Sequence, residues 1–304
     1  MAPETPGSKT DDRSAPLVSV VVINFNAGPL LVQCVRSVLD STVPVEVIVC
    51  DNGSGDGSIL ALREAVQDRR LNIIENFANL GFARACNIGI ERASGEYILL
   101  LNPDCVIGKG VLERVVDTLC AVPDAGMAGC LIRNPDGSEQ AGCRRLVPTP
   151  GRSLVRALHL DRLVPSLRHH GLTLKDTPLP DKVVEVNAIS GSFMFVTREA
   201  LADVGPLDER YFLHCEDLDW CMRFWEKGWK ILFEPGVSIV HYKGTCSRNR
   251  PVRVEWHKHK GMVRFYRRFF RECYPTGLFL MVVTGVWLRF GGIAASQMVL
   301  RLFR

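Results

Sequence analysis

The feature that most constrains this chain is the run from Leu17 to Ile23, aliphatic and mostly β-branched apart from Ser19, which stops abruptly at Asn24. A strand without polar alternation cannot leave one face in water, so it belongs inside a sheet covered on both sides. Parallel sheets of that kind need crossover helices, and the chain supplies them. After the turn Asn24-Phe25-Asn26-Ala27-Gly28, Pro29 suits a first helical turn, and Leu31, Cys34, Val35 and Val38 form the inward face. A second strand, Val45 to Cys50, runs into Asp51; a third covers Leu71 to Glu75, a helix Phe82 to Arg92, and a fourth strand, Tyr97 to Leu101, ends on Asn102-Pro103-Asp104. This alternation predicts an α/β fold built on a parallel sheet. With 304 residues, 47% of them hydrophobic, the chain can bury one large or two modest cores, which excludes a disordered or fibrous class.

Open α/β sheets bind ligands beyond the carboxyl ends of their strands, and the polar residues there are Asn24, Asp51 and Asp104. The first turn lacks the GxGxxG of a dinucleotide site, and no Walker loop is present. A nucleotidyltransferase would need a basic, glycine-rich first loop for the triphosphate, which Asn24 to Gly28 is not. Asp51 can take a ribose hydroxyl or a base edge, while the glycines of Asp51 to Ser58 let backbone approach a ligand. The same segment also reads as a plain turn with Asp56 or Ser58 capping the next helix.

A second concentration of polar groups is His214-Cys215-Glu216-Asp217-Leu218-Asp219-Trp220. Opening a helix, it would bury Leu218, Cys221, Met222 and Trp225, put Glu216 and Asp219 on the opposite face with Arg223, and leave Asp217 on its own flank. Acids at a helix start either complement its dipole or offer a proton acceptor. Upstream, Asn134-Pro135-Asp136-Gly137 reads as the turn of a hairpin between 128–133 and 139–145. Residues 147–182, proline-rich with a basic Arg168-His169-His170 patch, read as an insertion, and the histidine pair as solvated surface. Val183 to Thr197 returns as a strand whose Ser190-Gly191-Ser192 segment admits a ligand close to backbone.

Eleven scattered cysteines without a CxxC pair read as reduced thiols of a cytosolic protein, and the first sixteen residues as a disordered leader. A net charge of +4 does not call for nucleic acid, and no nucleic-acid partner is expected. The basic residues crowd Arg248 to Arg271, a helix rich in aromatics, before the apolar run Leu278 to Leu288. Arg289 limits that run to 11 residues, short of the roughly 20 that span a bilayer. An interfacial helix pair on an anionic membrane is expected, with a core or oligomer helix as the alternative.

Taken together, NFN, DNGSGDGS, NLGFARACNIGI, LLLNPDC, ISGSFMFVTREAL, VGPLDERYFLHCEDLDWCMR and VHYKGTCS, in this order from about Val18 to Ser247, resemble the inverting glycosyltransferases of family 2. More narrowly, they resemble the rhamnosyltransferase branch acting on bacterial cell-surface glycans. The resemblance implies a GT-A fold over 17–247, with a nucleotide-sugar half (17–133) and an acceptor half (134–247), ahead of the basic and apolar helical tail (248–304). It implies a nucleotide-diphosphate sugar donor, most simply dTDP-L-rhamnose with another nucleotide sugar as alternative. The acceptor would be a hydroxyl of a cell-surface glycan or polyprenyl-linked saccharide, met at the cytoplasmic face of the inner membrane.

Carried over by residue, Asp51 would contact the nucleoside and Asn24 border the base, while Asn79, Gly81 and Asn87 line the donor side. Loop geometry and helix capping account for Asn79 equally well. Asp104 matches the last acid of the DXD motif, which holds a divalent cation, Mg2+ or Mn2+, on the diphosphate; Asn102 replaces the first acid and removes one charge. His241 would be a further ligand or a structural residue. Gly191 would border the sugar, Glu216 and Trp220 the acceptor, and Asp217 would be the general base. An inactive membrane-bound scaffold would be expected to have lost Asp51, Asp104 or Asp217, and all three are present.

Overall fold

The computed structural model describes residues 18–152, 177–244 and 251–302. The expected leader, most of the 147–182 insertion with its histidine pair, and the junction at 245–250 lie outside the described residues. The nucleotide half runs β1 (Val18–Asn24), α1 (Leu30–Leu39), β2 (Val45–Asp51), α2 (Ser58–Ala65), β3 (Leu71–Glu75), α3 (Phe82–Arg92) and β4 (Tyr97–Leu101). It continues through β5 (Cys105–Ile107), α4 (Val111–Ala121) and β6 (Ala125–Arg133). The second half comprises β7 (Arg144–Arg145), β8 (Val184–Glu185), β9 (Ala188–Ile189), β10 (Phe193–Thr197), α5 (Arg198–Val204), α6 (Glu216–Glu226) and β11 (Lys230–His241). Helices α7 (Pro251–Phe269) and α8 (Thr276–Leu302) form the tail.

One sheet organises the chain in the order β3-β2-β1-β4-β10-β6-β11-β5, with β8 also paired to β11. The first four strands are parallel, β10 runs antiparallel between β4 and β6, and β11 is parallel to β6. All seven residues of β1 are buried, as its unbroken apolar run requires. Ser19 is tolerated there because its hydroxyl donates to Glu46 and accepts from the Gly95 amide. The inward face of α1 is the expected Leu31, Cys34, Val35 and Val38.

Two expectations fail in the second half. Instead of a hairpin after β6, only an isolated bridge joins Arg133 to Glu139, and β7 pairs with β9. The Asn134 turn forms, but its outgoing arm is drawn off by Arg144, whose guanidinium binds Glu139, Thr177 and Pro178. Nor is Val183 to Thr197 one strand: it breaks into β8, β9 and β10, which serve different neighbours.

The tail also differs from expectation. Arginine is a good helix former, so α8 continues through Arg289 for 27 residues, and Thr276–Val299 is long and apolar enough to cross a membrane by length and composition. It nevertheless packs along α7: Trp256 meets Trp287 and Phe290, and Arg271 lies over Phe279. Phe265, Tyr266, Phe270, Phe279 and Val286 close a second, smaller core there. Leu280, Met281, Leu288, Met298 and Val299 stay exposed on the outer side of α8. Helix α7 is fastened in turn to the sheet domain, through Arg264 to Asp208 at 3.1 Å and Arg268 to Asp219 at 3.2 Å.

Candidate active site

The register of the parallel strands aligns Asn24 with Asp51 at their carboxyl ends. Asn24 donates to Asp51 Oδ1 at 2.7 Å, and Asp51 Oδ2 accepts from the amides of Gly53 and Ser54. Asp51 therefore anchors its own glycine-rich turn at the end of the sheet. Asp56 accepts from Ser58 and from the Gly28 amide, tying that turn to the first loop, while the residue at the helix cap is Gly57.

Asn79, Gly81 and Asn87 have structural partners. Asn79 is exposed and accepts from the Gly81 amide; Gly81 has φ +90°, and a Cβ there would stand 2.8 Å from the Phe212 carbonyl. Buried Asn87 holds both Leu207 backbone groups and Glu209. Gly81 and Asn87 tie the nucleotide half to the segment leading into α6, and Asn79 holds the Gly81 turn in place.

A second cluster forms where β4 ends against β5 and β11. His241 Nε2 lies 3.1 Å from Asp104 Oδ1, both residues nearly fully buried. Gln140 fixes the imidazole: its amide nitrogen donates to Asn134 Oδ1 and to the His241 carbonyl, so its oxygen, 2.7 Å from His241 Nδ1, must be an acceptor. In the neutral ring the proton then sits on Nδ1, and the Nε2 lone pair faces the carboxylate. Two buried acceptors at 3.1 Å call for a proton or a cation between them, and a carboxylate with an imidazole suits a divalent ion. Asn102 stands beside them, its Nδ2 3.5 Å from His241 Nε2.

The acidic stretch begins in strain, with His214 and Cys215 both left-handed at φ 68° and 72°. Burial pushes the His214 imidazole down to about 4. In α6 the deepest residues are Asp219, Trp220, Cys221 and Phe224, of which only Cys221 belongs to the expected stripe; Leu218 packs between the sheet core and α7, Met222 turns toward α7, and Trp225 is 42% exposed. Trp220 is a core residue that donates to the Gly205 carbonyl, which removes it from the acceptor side.

Asp219 is fully buried and binds Arg223, Arg268 and Tyr211, correcting the expectation of an exposed helical pair. Asp217 meets Arg145 at 2.5 Å and accepts from the Gly191 and Leu218 amides. Burial raises its carboxyl, but the Arg145 charge and hydrogen bond outweigh this and hold it below the ordinary range. Glu216 beside it is pushed up, first by burial and then by the Asp217 charge, and its Oε2 has no hydrogen-bond partner among the described residues.

The two clusters meet at Ser190-Gly191-Ser192. The Gly191 amide donates to Asp217, the Ser192 carbonyl accepts from the Asn102 amide, and a Cβ on Gly191 would stand 3.3 Å from Asp217 Oδ2. Sequence reasoning had not singled out Arg145 or Gln140. A buried acid pair demands a counter-charge, which is the one signal that pointed toward an arginine; nothing in the sequence marks Gln140.

The family model of Glycosyl transferase family 2 matches residues 19–169. N-acetylglucosaminyl-diphospho-decaprenol L-rhamnosyltransferase of Mycobacterium tuberculosis is 31% identical over 250 residues, spanning 78% of this chain and 79% of the relative. The mannosyltransferase PcManGT of Pyrobaculum calidifontis, solved with GDP-Man and Mn2+, superposes with a TM-score of 0.59 at 17% identity, over 95% of this chain and 81% of that one. GalNAc-T7, solved with UDP, GalNAc and Mn2+, gives 0.60 at 18% identity, over 86% and 49%. These two likenesses bear on the fold, which is GT-A. The ordered motifs, the sheet with its two polar clusters and the match along most of the mycobacterial relative together make this chain a glycosyltransferase of family 2, similar to its rhamnosyltransferases.

Proposed function

We propose that the protein is an inverting transferase that moves L-rhamnose from dTDP-L-rhamnose to a hydroxyl of a polyprenyl-linked saccharide at the cytoplasmic face of the inner membrane. The observation that carries this reading is the Ser190-Gly191-Ser192 turn, which hydrogen-bonds Asp217 at one end and the Asn102 backbone at the other. It is supported by the mycobacterial relative, whose name specifies a diphospho-decaprenol acceptor and L-rhamnose.

In this reading Asp217 takes the proton of the acceptor hydroxyl as that oxygen attacks the anomeric carbon from the face opposite the diphosphate. Arg145 keeps Asp217 ionised, and Glu216, held neutral, adds no second charge beside it. The Gly191 amide fixes the carboxylate, and the missing side chain at that position leaves room for the sugar. Asp51, with Asn24, borders the nucleoside at the strand ends, and Asn79, Gly81 and Asn87 shape the loop beside it. Asp104 and His241 would hold Mg2+ or Mn2+, which supplies positive charge to the leaving diphosphate.

The test is release of nucleoside diphosphate from a panel of nucleotide sugars, with and without a polyprenyl-diphosphate saccharide. Acceptor-dependent release from dTDP-L-rhamnose is expected. Release from a different donor alone overturns the rhamnose assignment, and no release from any donor overturns the transfer reading.

A further inference from the structure

Cys105 is the neighbour of Asp104 in sequence and of His241 across the sheet. In the antiparallel pairing of β5 with β11, His241 stands directly opposite Cys105, and paired residues present their side chains on the same face. The thiol, the Asp104 carboxylate and a His241 ring nitrogen all lie within 4.8 Å of one another, and all three residues are buried. The thiol donates to the Ser192 carbonyl at 3.7 Å, a bond it would give up on losing its proton to a metal. Magnesium and manganese have no use for sulfur, whereas a carboxylate, an imidazole and a thiolate form a ligand set suited to zinc. A tetrahedral ion with a sulfur bond of about 2.3 Å and shorter nitrogen and oxygen bonds needs ligand atoms about 3–4 Å apart. The 3.1 Å separation of Asp104 and His241 already meets this, and the thiol lies within 4.8 Å of both.

We propose that Asp104, Cys105 and His241 form a second mode of the same pocket, a thiolate site for a zinc-class ion that shuts out the harder cation used in transfer. On binding, the Cys105 thiol gives its proton to solvent and its sulfur bonds the metal; no oxidation or reduction is involved. Gln140 serves this mode as well, because it keeps the His241 Nε2 lone pair directed at Asp104. The Irving–Williams order places zinc above manganese for such a site, so trace zinc displaces the harder ion. Zinc would therefore inhibit the protein by occupying the position of the working cation. The inhibition rests on the transferase reading, but the metal binding does not.

The experiment is a titration of the full chain with Cd2+, followed by the ultraviolet thiolate-to-cadmium charge-transfer band. Wild type is expected to show a stoichiometric band that is lost in both Cys105→Ser and Cys105→Ala and weakened in His241→Ala, with thermal melting used to select folded variants. Exposed Cys120 and Cys273 contribute equally to every sample, so the difference between wild type and variant isolates Cys105. Competition between Zn2+ and Mn2+, read by manganese electron paramagnetic resonance, should show the zinc preference falling by about tenfold or more in Cys105→Ser. A cadmium band of equal size in wild type and both cysteine variants, or an unchanged zinc preference, overturns the proposal. If the band behaves as expected and no nucleotide sugar is turned over, the transferase reading fails while the metal site stands.

Discussion

Asp217 and Asp219 lie two residues apart on one helix, yet removing each should have a different effect. Asp217→Asn keeps shape and loses the proton acceptor, so turnover should fall about 10²–10⁴-fold with donor affinity nearly unchanged. Near-normal turnover in that variant would move the base elsewhere. Asp219→Asn strikes a buried network shared by Arg223, Arg268 and Tyr211, and should cost roughly 2–4 kcal/mol of stability, visible as a lower Tm. Glu216→Gln is read through pH. The Glu216 carboxyl is raised above its unfolded value, so the stability it contributes is complete below the ordinary glutamate range and is lost as pH climbs through the raised value. The Tm advantage of Glu216→Gln over wild type should widen as pH rises from about 4 to neutrality and beyond; parallel Tm curves would show that Glu216 is ionised in the fold. At this scale, strand-end acids such as Asp51 and Asp104 were legible, because an apolar strand can end on a charge only where the sheet meets solvent or a ligand. The pairing of Arg145 with Asp217 was not, since it passes through the two-residue strands β7 and β9, too short to show a period.

The helix that carries these acids shows why an amphipathic stripe can be read correctly and still be misplaced. Met222 packs against the small core under α7 and Leu218 against both cores, while Trp220, Cys221 and Phe224 face the sheet domain. With both flanks covered, the pattern does not identify the deeper one, and the buried Asp219 is served both by Arg223 on its own helix and by Arg268, which α7 brings to it. Helix α7 also braces the left-handed turn before α6. A Cβ on Gly261 would stand 2.8 Å from the His214 carbonyl, and Phe212 stacks on His257 at 4.3 Å. Gly261→Ala should therefore lift the helix from the turn, costing about 1–3 kcal/mol and lowering turnover. Wild-type Tm together with wild-type turnover in this variant would rule out the bracing role.

Across the whole molecule, the fastening of α7 to the sheet domain limits what α8 can do. Its packed stretch runs from Phe279 to the buried Ala294, leaving 8 residues to the helix end, or about 12 Å against a hydrocarbon core of about 30 Å. While those contacts hold, a bilayer would meet α8 side-on, against the exposed Leu280, Met281 and Leu288. Replacing these three by glutamate should release the protein from anionic vesicles in a sedimentation assay while leaving Tm unchanged. Retention on the vesicles would favour a helix that leaves α7 and spans. The strand order carries a different kind of consequence. Strand β5 follows β4 directly in the chain but lies at the far edge of the sheet, reached only through β10, β6 and β11. On the ribosome, β1 to β4 can pair as soon as they emerge, whereas Asp104 waits for His241 until nearly all of the sheet domain has been made. A nascent chain stalled before β11 would thus hold Asn24 and Asp51 together at the strand ends while Asp104 still lacked its partner, and the meeting of Asp104 with His241 would mark the moment at which synthesis of the sheet domain is complete.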